Sequence, residues 1–343
     1  MTLCARYLIR RDNVKDLYHT VNPIIRIKEN ELLSNETFHQ LIEAESFEKI
    51  AEILRPTIYG KYLEQDFQFD FEKKLNQELF ATYEEMIALV PEPEIVWIYT
   101  MRYTFHNLKV LTKAERMQEN YDYLFMPDGF YSIEELKRAI QTGSSSRLPA
   151  EVLKSIREVN DYFKESTILQ GIDVIYDRRF LKEQRRIGEK LGYQELLEEI
   201  CHFIDLTNII TASRCLLQQR SQGFMSTVLS SAGSIPREAF LEFVNKPFEE
   251  FKTFLRWSDY GNLLAPALEA DTIDFLKMDL IKDQHLSEFY ERSQTTAFGP
   301  LPALAFMNQK DMEATNLRLI IVGKRSGFTK EQIRERMREV NEL

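Results

Sequence analysis

The chain has 343 residues, of which 44% are hydrophobic and 29% charged, and its formal net charge at pH 7 is −10. This composition is that of a soluble globular protein long enough for two or three domains, and the acidic balance argues against binding nucleic acid or anionic lipid. No apolar run approaches the ~20 residues that a membrane-spanning helix needs, so no direct membrane span is expected.

The first part of the chain predicts helices. Only 12 Gly and 11 Pro interrupt the sequence, and hairpin signals are nearly absent, so we predict an all-α fold. Residues 1–20 lack a clear period and are interpreted as an N-terminal extension or a first helix. Ser34 can cap a helix that carries apolar residues from Phe38 to Leu54 and ends at Pro56. A stronger apolar stripe over 71–90 predicts the next helix.

Prolines and capping motifs mark the following helices. The Pro91-Glu-Pro93 segment must end the 71–90 helix, because proline lacks the backbone N–H donor. Ser132 and Glu135 match a capping box, in which each side chain satisfies the other's backbone N–H. Further on, breaks are predicted at Gly188 and Gly192, and a long helix is predicted from about 195 to 219.

The last third of the chain repeats these signals. A Gly-Ser-Ile-Pro segment at 233–236 opens it, and a Pro-Leu-Pro segment at 300–302 precedes the last long helix. Thr329 and Gln332 form a second candidate capping box, which would begin a short terminal helix reaching Val340.

An asparagine in an apolar helical setting recurs at nearly even intervals. Asn107, Asn208 and Asn316 are separated by 101 and 108 residues, which predicts three copies of one helical unit. The simplest interpretation of each is a buried amide that bonds neighbouring backbone and fixes helix register. With the polar residues near them they form a set of structural signature residues: Asn107, Lys109, Asp205, Asn208, Arg214, Glu313, Asn316, Arg318 and Lys324. The predicted repeats span residues 21–127, 128–230 and 231–343.

Catalytic, cofactor and metal motifs are not found in the sequence. None of the five histidines lies in a catalytic motif, and the three cysteines form no CxxC pair, which favours reduced thiols. The Gly-Lys pair in 323–327 lacks the upstream glycine spacing of a phosphate loop. Aspartates between 271 and 283 are too dispersed to chelate a diphosphate through magnesium. We therefore expect no catalytic residue, no cofactor and no metal.

One basic cluster could receive an acidic partner, although a solvated helix face is the simpler interpretation. It consists of Arg178, Arg179, Lys182, Arg185 and Arg186.

Several of these segments together resemble a known family. The segments that carry the resemblance are Val21-Asn-Pro-Ile-Ile-Arg26, Glu31-Leu-Leu-Ser34 with the predicted helix that leads to Tyr59, and the stretches 103–113, 205–214 and 313–327. The resemblance is to the C subunit of A- and V-type ATPases, which corresponds to the d subunit of the eukaryotic enzymes. The resemblance covers roughly residues 18–343. Thr104 departs from it, since the family usually has an acid there.

The resemblance implies a non-catalytic rotor adapter. Three similar helical subdomains would form a pseudo-threefold funnel, which joins the D and F subunits of the central shaft to the membrane rotor ring of c/K subunits and transmits torque. It implies one copy per complex and a cytoplasmic location, peripheral to the membrane through the ring. Alternatives are a helical-repeat scaffold for protein binding and an all-α enzyme, for which no catalytic constellation is found.

Overall fold

The computed structural model describes residues 17–64, 66–126, 130–268 and 273–338. Within these ranges the chain forms helices and no strand, which confirms the all-α prediction. Short 3-10 helices cover Ile58–Tyr62, Phe67–Phe69, Asp122–Leu124 and Arg292–Thr295. The α-helices are α1 (Val21–Glu29), α2 (Asn35–Glu43), α3 (Phe47–Leu54), α4 (Phe71–Leu89), α5 (Pro93–Met117), α6 (Ile133–Thr142), α7 (Ala150–Glu165), α8 (Gln170–Leu191), α9 (Gln194–Leu217), α10 (Gln222–Val228), α11 (Arg237–Leu241), α12 (Phe248–Trp257), α13 (Gly261–Leu268), α14 (Phe275–Glu291), α15 (Leu301–Arg325) and α16 (Lys330–Arg334).

The described residues divide into two compact units. Residues 97–282 form a continuous unit, and residues 17–96 together with 283–338 form a discontinuous one. The predicted division into three repeats follows different boundaries, and the funnel arrangement stays a prediction.

The discontinuous unit is built around α15. This helix packs against α1, α2 and α4, and its Leu317, Ile320 and Ile321 are buried with apolar residues of 33–75. The single helix predicted after Ser34 is wrong: α2 ends before Ala44, and α3 begins after Ser46, whose side chain accepts a hydrogen bond from the Lys49 N–H. A second N-cap within the apolar stripe therefore divides it into two helices.

The continuous unit has its core around α9. Apolar residues of α9 are buried against those of α10, α12 and α13, and α8 packs on both α7 and α9. The break predicted at Gly188 is wrong, because this residue lies inside α8, where an added Cβ would lie 2.5 Å from Ile200 Cδ1. Gly192 does end α8, in the left-handed conformation with φ of 75° that favours glycine.

The two predicted capping boxes have different outcomes. At Thr329 both reciprocal hydrogen bonds with Gln332 are formed, so that prediction is confirmed. At Ser132 only half of the box forms: its side chain accepts from the Glu135 N–H, while the Glu135 carboxylate lies 3.3 Å from an Arg147 nitrogen. The attraction of the arginine gives that carboxylate a different partner. The predicted helix end at Val340 lies outside the described residues.

Among the described helices, α9 is long and apolar enough to cross a membrane by length and composition. However, 61% of its apolar stretch is buried inside the protein. Its apolar residues therefore serve the core of the continuous unit.

Candidate functional site

Each of the three recurrent asparagines forms the same two hydrogen bonds. Its side-chain amide donates to a backbone carbonyl and accepts from the backbone N–H of the same residue. The clamped residues are Met126 for Asn107 at 2.6 and 2.9 Å, Ser230 for Asn208 at 2.9 and 2.9 Å, and Arg338 for Asn316 at 2.8 and 3.0 Å. We call these pairs the asparagine clamps.

The helices position the clamps in similar ways. The asparagines lie on α5, α9 and α15, three long helices, and all three are at most 1% exposed. The clamped residues follow 19, 22 and 22 positions later, where the chain has left the helix. A buried main-chain segment must find partners for its N–H and C=O groups, and one primary amide supplies both.

Asp205 lies three residues before Asn208 and is fully buried on α9. One carboxylate oxygen accepts from the backbone N–H groups of Ser234 at 2.8 Å and Ile235 at 3.1 Å. The other accepts from the Ser234 hydroxyl and, at 3.0 Å, from the Tyr260 hydroxyl. Burial, followed by the nearby carboxylate, raises the pKa of Tyr260 far above its usual value, so the phenol stays protonated and donates.

Glu313 takes the corresponding position, three residues before Asn316, and is also fully buried. It accepts from the Leu33 N–H, the Tyr59 hydroxyl and the Lys310 ammonium, each at 2.5 Å. Burial is the main cause that raises the pKa of Tyr59 well above its usual value, and the Glu313 charge adds to it.

The two acids therefore bind equivalent partners, a backbone N–H and a tyrosine hydroxyl. In both cases the tyrosine follows the N–H donor by 26 residues, from Leu33 to Tyr59 and from Ser234 to Tyr260. We call these contacts the acid clamps. On α5 the corresponding position holds Thr104, which is fully buried. The sequence patterns singled out neither Tyr260 nor Lys310, although the matched 26-residue spacing was an available signal.

The predicted cationic signature residues make contacts between helices. Lys109 on α5 lies 2.7 Å from Asp177 on α8, Arg214 on α9 lies 3.2 Å from Asp279 on α14, and Arg318 on α15 donates to Asn76 on α4 at 2.9 Å.

Lys324 binds differently, since it donates to the carbonyls of Ile42 and Ala44 at 2.6 and 2.7 Å. It thus satisfies carbonyl groups at the C-terminal end of α2. Partial burial lowers its pKa, because desolvation disfavours the charged form.

The basic cluster lies along α8, and acids on the same and neighbouring helices neutralise most of it. Arg178 and Arg179 both pair with Glu158 on α7. Within α8, Arg185 binds Glu189 at 2.8 Å and Arg186 binds Glu183 at 2.7 Å. Lys182 is exposed. All of the cluster except Arg178 lines a cleft of about 340 Å³, together with residues 231–233.

Within the described ranges, the residue types that could bind a metal are not grouped to do so. No group of three or more His, Cys, Asp or Glu residues is arranged there to hold a metal. Asp279 and Asp283, on the face that could suggest a metal site, pair with Arg214 and Arg338. Cys201 and Cys215 are buried and are not in a disulfide.

The chain is similar to known proteins over almost its whole length. Residues 21–336 match the protein family described as ATP synthase (C/AC39) subunit. The chain is 55% identical over 326 residues to the C subunit of the V-type sodium ATPase of Enterococcus hirae, covering 95% of this chain and 99% of that protein. It is 23% identical to the C subunit of the A-type ATP synthase of Methanocaldococcus jannaschii, over 92% of this chain and 85% of that one. With the corresponding protein of Pyrococcus abyssi it shares 24% identity, over 94% and 90%.

Proposed function

Because the chain belongs to the ATP synthase (C/AC39) subunit family and is the C subunit of a V/A-type ATPase, we propose that it joins the central D–F shaft to the membrane rotor ring and transmits torque between them. It is a structural subunit and not the catalytic one. In this role the nucleotide chemistry takes place elsewhere in the complex, and this chain carries rotation.

The observation that best supports a mechanical role is the set of asparagine clamps. A torque adapter has to resist deformation, and long helices resist it better when they are fixed to neighbouring segments. Each clamp fixes a chain segment to a long helix through two hydrogen bonds from an asparagine that is at most 1% exposed. Buried hydrogen bonds of this kind rigidify a polar contact.

We also propose that the chain contains three related helical units, at residues 21–127, 128–230 and 231–343, arranged as the pseudo-threefold funnel that the family resemblance implies. The recurrence of the same two hydrogen bonds at Asn107, Asn208 and Asn316 supports this proposal. One copy would be present per complex, on the cytoplasmic side and held at the membrane through the ring. Since the relative with 55% identity is named a sodium ATPase subunit, we propose sodium as the ion transported by the complex.

Reconstitution tests the proposal directly. The complex would be assembled in vesicles from purified subunits with and without this chain, and both ATP hydrolysis and ATP-driven sodium uptake would be measured. We expect hydrolysis to continue without the chain while uptake falls to background, and adding the chain back should restore uptake. Uptake that stays in step with hydrolysis in its absence would refute the adapter role. Native mass measurement of the complex tests the single copy.

The basic cluster on α8 is proposed as a contact for an acidic face of a partner subunit. Lys182 is exposed and is the residue to test, and Lys137 on α6, which is exposed too, provides a matched control. We expect Lys182→Glu to weaken binding to the D–F pair or to the ring and Lys137→Glu to leave it unchanged. Equal binding by both variants would remove the cluster from the interface.

A further inference from the structure

Each long helix that carries an asparagine also carries a basic residue that pairs with an acid in another predicted repeat. From α5 the contact reaches α8, from α9 it reaches α14, and from α15 it returns to α4. Each step therefore leads from one predicted repeat to the next, and the third leads back to the first. The ion pairs are Lys109–Asp177, Arg214–Asp279 and Arg318–Glu72.

The acid clamps follow the same rule. Asp205 on α9 binds Ser234 and Tyr260, which belong to the third predicted repeat. Glu313 on α15 binds Leu33 and Tyr59, which belong to the first. Apolar packing agrees, because residues of α15 are buried together with residues of 33–75 in one core.

The contact made by α15 differs from the other two in its covalent context. The chain runs directly from the first repeat to the second and from the second to the third. The third repeat is not followed by the first in this way, since Glu313 and Tyr59 are 254 residues apart in the sequence. Non-covalent contacts therefore hold α15 against the N-terminal helices.

At this position the structure places a buried charged pair. Lys310 is 3% exposed, and its ammonium lies 2.5 Å from the Glu313 carboxylate and 3.3 Å from the Tyr59 hydroxyl. Removing either charge would leave the other buried without its counter-charge, which is strongly unfavourable. Substitution of Lys310 or Glu313 alone should therefore weaken this contact strongly.

We propose that α15, which belongs to the third repeat in sequence, packs in space as part of the first, and that Glu313, Lys310 and Tyr59 form a latch that fastens this C-terminal long helix to the N-terminal helices. Docking of α15 is then a condition for α2 and α3 to remain folded. The inference goes beyond the torque-adapter proposal and does not depend on it.

Hydrogen-exchange mass spectrometry on the full chain tests the latch, with Asp205→Asn as the matched variant of Glu313→Gln. We expect Glu313→Gln to speed exchange in α2 and α3 about tenfold or more, since a hydrogen bond to a buried charge is lost, and to leave α12 and α13 unchanged. Asp205→Asn should instead speed exchange in α12 and α13 and leave α2 and α3 unchanged. Faster exchange in α12 and α13 with Glu313→Gln, or unchanged protection of α2 and α3, would overturn the proposal.

A milder variant decides the matter if Glu313→Gln does not fold. Tyr59→Phe keeps the charged pair and removes only the hydroxyl that donates to Glu313 and accepts from Lys310. Faster exchange confined to α2 and α3 would support the latch. A uniform increase over the chain, or none at all, would overturn it.

Discussion

The clamp at Asn208 allows a sharp test of how much a buried amide stabilises the fold. In Asn208→Leu the side chain keeps its approximate size but loses both hydrogen bonds to Ser230, a residue that is itself 1% exposed. The Ser230 N–H and C=O then remain buried without these partners. Leaving each group unpaired costs about 1–3 kcal/mol, so the two together cost roughly 4 kcal/mol. Burial of the leucine side chain recovers about 2 kcal/mol, which leaves a net loss of about 2 kcal/mol.

Differential scanning calorimetry of the isolated chain measures this loss. For a unit of about 150–250 residues, a loss of about 2 kcal/mol corresponds to a fall of roughly 4–8 °C in Tm. Thr207→Val is the matched control, because the Thr207 hydroxyl bonds to the Phe203 carbonyl of its own helix, and we expect a change below about 0.5 kcal/mol. If Asn208→Leu melts together with the control, the clamp does not stabilise the fold.

Three further predictions concern single side chains. Lys324→Met removes the donor at the end of α2 and should destabilise the chain by about 1 kcal/mol in denaturant titrations. Burial keeps Tyr59 protonated in the folded state, while the phenol of the unfolded chain titrates near pH 10. Its contribution to the free energy of unfolding is therefore complete below about pH 10 and is lost as the pH rises above it. In denaturant titrations from about pH 9 to 11, we expect Tyr59→Phe to reduce the fall of this free energy with pH by the slope that corresponds to about one proton. Gly188→Ala should reduce the stability of the fold by about 1 kcal/mol, because the added methyl group overpacks against Ile200. Gly223→Ala should increase the stability by about 0.5 kcal/mol, because a Cβ there meets nothing within 4 Å. Equal melting temperatures for the two variants would contradict the packing argument.

Local signals in the sequence predict most of the helices. The apolar stripe over 71–90 corresponds to α4, which ends at Leu89, just before the Pro91-Glu-Pro93 segment, as predicted. Such features depend on backbone chemistry within a few residues. The prediction fails at Gly188 because the weak helix propensity of glycine is outweighed there by the close approach of α9, which no local window contains.

Polar contacts between distant segments are harder to predict. The recurrence of asparagine shows where polar groups matter, but it does not show which backbone each amide binds. Two of the three partners of Glu313 come from residues 33 and 59, more than 250 positions away. Likewise, the sequence does not show that Arg178 and Arg179 of α8 pair with Glu158, which the packing of α7 brings to them.

The asparagine clamps also bear on how related segments can lose their similarity. Each amide binds the main-chain N–H and C=O groups of the clamped residue. The clamped positions can therefore hold residues as unlike as methionine, serine and arginine. Substitution of the clamped residue leaves the two hydrogen bonds intact, while substitution of the asparagine removes them. In such a fold the related segments can therefore keep the asparagine and differ at the residue that it binds. A search for repeats should give more weight to the asparagine than to the segment that it holds.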